Sequence, residues 1–347
     1  MRLICLVLER ERLESLGCAS RVISTLMSSR RASTNRVYGR IWAKFVEFST
    51  VSGRSFRNPE IQDVLSFLQT GLDLPLSVSS LRVQISALSA FSGISWAVHP
   101  LVKQFFRGAS RLKPQRKPRF PKWDLPLVLD FLSGLSTSGP SPSSIKDFSA
   151  KVAFLVAITS AKRVSEIGSL GHKEPFLTFF PDRVVLIPML GSNPKVSSVF
   201  HENQEVVLPT FRSSDSNETH PLDMGKILSE YIQMTSPFRP LDHLFILHSG
   251  SNKGKKASAR TIAAWIVQTI QQAYRAKGLA PPQAVTAHST RGMAASWAAA
   301  RHVAPDVICR AASWSSIHTF MSHYCVEPAS LSSVNFGLSV LSVDGTN

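Results

Sequence analysis

Acidic residues are scarce in this sequence. Asp and Glu number 23 against 39 Lys and Arg over 347 residues, a formal net charge of +16. Cysteine is scarcer still. The four present (Cys5, Cys18, Cys309 and Cys325) form no CxxC pair and lie near the two ends of the chain. That argues against a disulfide framework and against a structural zinc site, and it suits a reducing compartment. Long apolar runs are missing too: nothing approaches the roughly 20 residues of a membrane span. The opening run Leu3 to Leu8 stops at Glu9 and Arg10, too short for a secretory signal, so neither a targeting segment nor a membrane is expected. What is present is a 44% apolar composition, enough for a real core, in a length that allows two domains. These features together point to a soluble basic protein with a polyanion as its partner.

The positive charge is concentrated. Between Asp73 and Asp124 there is no acidic residue, while Arg82, Lys103, Arg107, Arg111, Lys113, Arg116, Lys117, Arg119 and Lys122 all fall there. The dense part, Arg111 to Trp123, interleaves these residues with Pro114, Pro118 and Pro121. Three prolines at that spacing forbid a helix and favour a stiff, extended segment. Such a segment reads as an interdomain linker, 111–123, that lies along phosphates and makes binding salt-dependent.

Before this linker the apolar period is helical. Ser33 or Thr34 can cap a helix with Val37, Ile41, Trp42, Phe45 and Phe48 on its apolar face and Arg36, Arg40 and Lys44 on another. Three further helices are expected, after Pro59, from about Ser77, and over 101–108, giving a compact helical module over 31–110. Residues 1–30 show no clear period and read as a loose N-terminal arm. After the linker, 125–135 and 145–160 read as helices. The runs 183–189 and 204–209 flank a Gly/Asn/Pro loop and predict an antiparallel hairpin. Helices are expected at 222–234 and 258–276, with the strand-like His243 to Leu247 between them. A helical block closes the second domain over 288–324, and a tail, 327–347, carries an apolar stripe. The fold class is therefore mainly α with a small antiparallel β-sheet. The basic turn at Gly250 lacks the spacing of a phosphate loop.

Three local motifs carry chemistry. AKRVSEIGSL holds Arg163 and Glu166 at the end of an apolar helix. AHSTRGMAAS places His288 and Arg291 three apart, on one face of a helix start. AASWSSIHTFMSHY sets Trp314 ten residues before Tyr324. Two guanidiniums can each donate paired hydrogen bonds to one phosphodiester and stabilise the charge of its pentacoordinate transition state, so no metal or other cofactor is required. His288 can move a proton, the Trp314 indole can donate to the same phosphate, and Tyr324 can attack phosphorus and keep the bond energy as a phosphotyrosine. Only four tyrosines are present, and the other three all precede the His-x-x-Arg motif. His318 and His323 are five apart and do not make a helical metal pair.

The order Arg…His-x-x-Arg…Trp…Tyr, with RVSE at the first arginine and W-S-S-x-x-T-F before the tyrosine, resembles the tyrosine recombinase (phage integrase) family. The likeness is nearest to the recombinases of DIRS-type retrotransposons and covers nearly all of the chain. It implies a helical core-binding domain (31–110) and a catalytic domain (124–326) that clamp double-stranded DNA, with tetramers formed on two duplexes. Arg163 and Arg291 would clamp the phosphate, Glu166 would brace the first arginine, and Trp314 would fall where the family has His or Trp. Tyr324 would be the nucleophile. The family's general acid, a lysine in a β-hairpin turn, corresponds best to Lys195 in GSNPKVSS. The DIRS likeness further implies integration of a circular mobile-element DNA in the nucleus. Two alternatives stay open from the residues alone: a type IB topoisomerase-like nicking-closing enzyme, and a recombinase-derived DNA-binding protein that no longer cuts.

Overall fold

The computed structural model describes residues 4–114, 123–135, 142–189, 205–211 and 220–324. The chain divides into two units, Met1–Lys117 and Pro118–Asn347.

The first unit is all helical among its described residues. Its N-terminal part corrects the expectation of a loose arm: α1 (Ile4–Ser15) and α2 (Ser20–Met27) are folded, with Leu13 and Ile23 buried. The sequence period misses them because the buried face of α1 includes a charge. Glu9 is buried and is satisfied by an ion pair with Arg30, which is how a buried carboxylate is tolerated. The next helix, α3 (Ala32–Val51), starts at Arg31 rather than at Ser33 or Thr34. It buries Trp42, Phe45 and Ser49, while Val37, expected on the inner face, is exposed. Arg36, Arg40 and Lys44 recur every four residues along its exposed face.

Three more helices complete this unit: α4 (Ile61–Asp73), α5 (Val78–Ser92) and α6 (Pro100–Leu112). Each start has a local cause. Asp63 accepts from the Glu60 backbone N–H, Ser77 Oγ from the Ser80 N–H, and Pro100 sits where a missing N–H costs nothing. The α5 helix ends at Gly93, whose φ of 75° is the left-handed cap that glycine adopts without strain. The core is aromatic, with Trp42 and Phe91 centroids 5.0 Å apart and Phe45 and Phe67 5.2 Å apart. Tilted and edge-on pairs of this kind add to what area burial alone contributes.

The second unit is built around α8 (Pro142–Ser160). Positions 150 to 157 of this helix are buried all round, so it is a central helix rather than an amphipathic surface one. The helices α10 (Met224–Thr235), α11 (Ala259–Ala276) and α12 (Ser289–Ala300) pack on it, and α7 (Leu125–Gly134) packs on α11. The sheet is antiparallel with order β1 (Leu177–Phe179), β2 (Arg183–Leu186), β3 (Val206–Pro209). The register of β2 on β3 pairs Val184 with Leu208 and Leu186 with Val206, all four buried. The expected hairpin is there. Its added strand β1 is too short for alternation to reveal. His243 to Leu247 corrects another expectation: this apolar run makes only isolated bridges, Gly171 with His243 and Ile246 with Lys256. Among the described residues the chain is thus mainly α with a small antiparallel sheet, and no helix is long and apolar enough to cross a membrane.

Candidate active site

Four short stretches converge in the second unit. The first follows α8, where the chain turns through Ala161 (φ 49°) and begins a one-turn helix, α9 (Val164–Ile167). Arg163 therefore stands at the start of α9, not at the end of a long helix. The second is the start of α12 (Ser289–Ala300), with His288 just outside it and Arg291 in its first turn. The third is the turn after α13 (Pro305–Ala311), holding Ala312, Ser313 and Trp314. The last is the end of α14 (Ile317–His323), followed at once by Tyr324.

Glu166 ties the first two together. Its Oε1 accepts from Arg163 Nη1 at 2.7 Å, while its Oε2 accepts from the Arg163 backbone N–H at 2.8 Å and lies 3.8 Å from Arg291 Nη1. Arg291 is 1% exposed, an unusual depth for a cation. Its Nη2 donates to the Ala312 carbonyl at 2.8 Å, while Nε and Nη1 find no hydrogen-bond partner among the described residues. Burial and then the neighbouring Arg163 push its pKa down to about 10, with Glu166 acting in the opposite direction. The guanidinium thus stays charged at neutral pH, with donors unused. A buried cation left short of partners is costly unless an anion completes it.

The aromatic groups stack over that cation. The Trp314 and Tyr324 rings lie 4.4 Å apart at 25°, and the Arg291 guanidinium carbon is 5.2 Å from the first centroid and 5.5 Å from the second. Trp314 is buried, and its indole N–H has no partner among the described residues. It therefore packs like a core residue and still offers a donor. Tyr324 is half-buried, and its hydroxyl lies 3.1 Å from Nε2 of the exposed His288. Its backbone is held as well, by the Ser296 hydroxyl on its carbonyl and by its own N–H on Phe320. The helix start that carries His288 is anchored by Trp123, whose indole donates to Ser289 Oγ at 2.9 Å.

The six residues Arg163, Glu166, His288, Arg291, Trp314 and Tyr324 come together. Lys195 lies outside the described residues, as do Arg116, Lys117, Arg119, Lys122 and the 327–347 tail. One residue the motifs did not single out joins the group: Lys162, 5% exposed, donates to Ser313 Oγ at 2.5 Å. Its signal in the sequence was a lysine directly before Arg163 at the end of an apolar helix. No group of three or more His, Cys, Asp or Glu among the described residues is placed to hold a metal.

In the first unit, Arg82, Lys103, Arg107 and Arg111 line one open groove together with Phe106. The Arg82 guanidinium lies 4.9 Å from the Phe106 centroid, so its stem is held while its donors stay free to face outward. Lys113 differs from expectation. Its ammonium donates to the carbonyls of Leu72 and Leu74 at the end of α4, which gives it a helix-capping role.

No protein-family model matches the sequence, and no curated protein does. Solved structures do match. The integrase of the Tn1549 transposon, in complex with transposon right-end DNA, aligns over 98% of this chain and 99% of its own at 15% identity, with a TM-score of 0.59. The XerH site-specific recombinase, in a post-cleavage complex with its difH substrate, aligns over 82% of this chain and 74% of its own at 16% identity and a TM-score of 0.56. Both are tyrosine recombinases. The tyrosine recombinase fold is therefore the fold of this chain.

Proposed function

We propose that the protein is a site-specific DNA recombinase that cuts and rejoins DNA through a covalent 3′-phosphotyrosine. The observation that carries this reading is the Tyr324 hydroxyl at 3.1 Å from His288 Nε2, beside a buried Arg291 with two unused donor nitrogens. In the proposed step the Tyr324 proton passes to His288 and the phenolate oxygen bonds to phosphorus. The bond from phosphorus to the 5′-oxygen breaks, and the leaving oxygen takes a proton from a general acid, for which Lys195 remains our assignment. Arg163, Arg291 and the Trp314 indole N–H receive the charge that builds on the phosphoryl oxygens. Reversal by another strand's 5′-hydroxyl rejoins DNA without ATP, because the phosphotyrosine keeps the bond energy.

The Tn1549 integrase is in complex with transposon right-end DNA and XerH is bound to its difH substrate, and this supports duplex DNA as the partner here. The groove of Arg82, Lys103, Arg107 and Arg111 suits a phosphate backbone, and Arg36, Arg40 and Lys44 would add a second contact stripe. Assembly as a tetramer on two duplexes, integration of a circular mobile-element DNA, kinship with DIRS-type recombinases and action in the nucleus complete the proposal. They rest on the motif resemblance.

The test is a pool of nicked duplexes with random sequence around the nick, incubated with wild type and with Tyr324→Phe. Wild type is expected to form a covalent protein–DNA adduct that the variant lacks, and sequencing the trapped junctions would name the target. Absence of an adduct with wild type defeats the enzymatic reading and favours a DNA-binding protein that no longer cuts.

A further inference from the structure

Lys162 sits beside the proposed phosphate-facing groups, directly before Arg163 in AKRVSEIGSL, with no role of its own in the motif reading. It lies between Ala161, which packs in a small apolar cluster with Ala312 and Trp314, and Arg163. Its ammonium reaches the Ser313 hydroxyl at 2.5 Å. Ser313 is buried and held at φ 53°, a backbone state that needs support from its surroundings in a residue with a side chain. The turn that Lys162 holds is the one whose Ala312 carbonyl receives Arg291 and whose next residue is Trp314. A single side chain thus joins the turn before Arg163 to the turn before Trp314.

Charge gives the second observation. The charges that act on Lys162 are those of Glu166 in α9, of Arg163 just before it and of Arg291 in α12. His288 and Tyr324 lie beyond Arg291, and Cys309 of α13 lies in the apolar cluster with Ala161. Three cations meet one carboxylate. Two positive charges are left over, enough for a phosphodiester that gains a second negative charge on attack.

We infer that Lys162 is a positioning residue of the cleavage site, pinning the 312–314 turn and supplying the third positive charge that a bound phosphate neutralises. The inference takes its phosphate from the phosphotyrosine reading. It has a consequence for protonation. Burial lowers the Lys162 pKa to about 8, with Glu166 opposing and Arg291 and Arg163 adding to the fall. Between that value and the ordinary lysine range the unfolded chain binds more protons than the folded one, so the free protein gains stability as pH rises there. A phosphate in the site reverses the preference and draws the proton back.

Inorganic phosphate at constant ionic strength, with chloride as control, probes this directly. The 13C-lysine signal of Lys162 is identified by its absence from Lys162→Arg. It is expected to titrate just above neutrality without phosphate and to shift upward in pH with it. A titration that phosphate does not move overturns the charge role. The second arm follows adduct formation from the random nicked pool between pH 7 and 9. Wild type should slow on the alkaline side as the ammonium loses its proton. Lys162→Met should form adduct at least about tenfold more slowly at pH 7, and Lys162→Arg should keep the rate within about threefold of wild type and lose the alkaline slowing. A folded Lys162→Met with the wild-type rate and profile overturns the positioning role. Should Lys162→Met fail to fold, alkaline slowing in Lys162→Arg equal to that of wild type overturns the role equally. If wild type forms no adduct while phosphate still shifts the Lys162 titration, the cleavage reading fails and the phosphate-site role of Lys162 stands.

Discussion

Glu166 serves two arginines unequally, with 2.7 Å to Arg163 and 3.8 Å to Arg291, and this makes it a sharp probe of the site. Glu166→Gln keeps the shape and removes the charge. Arg163 then loses its ion pair, and the cluster's surplus of positive charge grows. The expected cost is about 1–3 kcal/mol in urea denaturation, because the pair is mostly shielded from solvent. Adduct formation should fall about 10–100-fold, the usual range for a group that orients those touching substrate. Trp314 separates packing from chemistry in the same way. Trp314→Phe preserves a stacking ring against Tyr324 and loses the indole N–H that has no partner among the described residues. Stability should change by less than about 1.5 kcal/mol, whereas adduct formation should slow roughly tenfold or more, the worth of one hydrogen bond to a charged group. Trp314→Ala should cost about 3–5 kcal/mol in the same melts. Equal activity of the Phe variant and wild type would reduce Trp314 to a core residue.

Elements were legible where their cause is local. The helices after Pro59 and Ser77 and the long α11 follow from apolar period and caps, and the pairing of β2 with β3 follows from two Val/Leu runs. The motifs of the candidate site were legible because each lies within a few residues of chain. Elements whose stability comes from tertiary partners were not. The buried face of α1 contains Glu9, acceptable because Arg30 arrives from 21 residues away, beyond the end of α2 and outside the period of the helix that carries Glu9. His243 to Leu247 looked like a strand because a buried apolar run has the same appearance in either state. Lys162 was missed for a related reason: its partner Ser313 is 151 residues distant. The corrected N-terminal region is testable as an element. Ile23 is fully buried in α2, so Ile23→Ala should destabilise the protein by about 2–4 kcal/mol in urea denaturation. A loose arm would show no change.

Across the whole molecule, the surplus of positive charge divides into exposed and shielded groups, and salt separates the roles proposed for them. Arg82, Lys103, Arg107 and Arg111 share one groove on the first unit, whereas Arg163, Arg291 and Lys162 are shielded in the second unit. Exposed cations that neutralise phosphates release counterions, and each contributes about 0.9 to the slope of log affinity against log salt. Changing all four groove residues to Ala should therefore lower that slope by up to about 3–4, measured by fluorescence anisotropy of a labelled duplex over a salt series. On the proposed function the groove contributes to DNA affinity and the second unit's arginines take the phosphate being cut, so the adduct rate at saturating DNA should stay within about threefold of wild type. Lys113 supplies the control. Its ammonium caps α4 through the Leu72 and Leu74 carbonyls, so Lys113→Ala should leave the salt slope unchanged and cost about 0.5–1 kcal/mol of stability. A slope that falls as much for Lys113→Ala as for one groove substitution would place Lys113 on the DNA and undo its capping role. An unchanged slope for the fourfold variant would move the DNA path off this groove, to the exposed stripe of Arg36, Arg40 and Lys44 on α3.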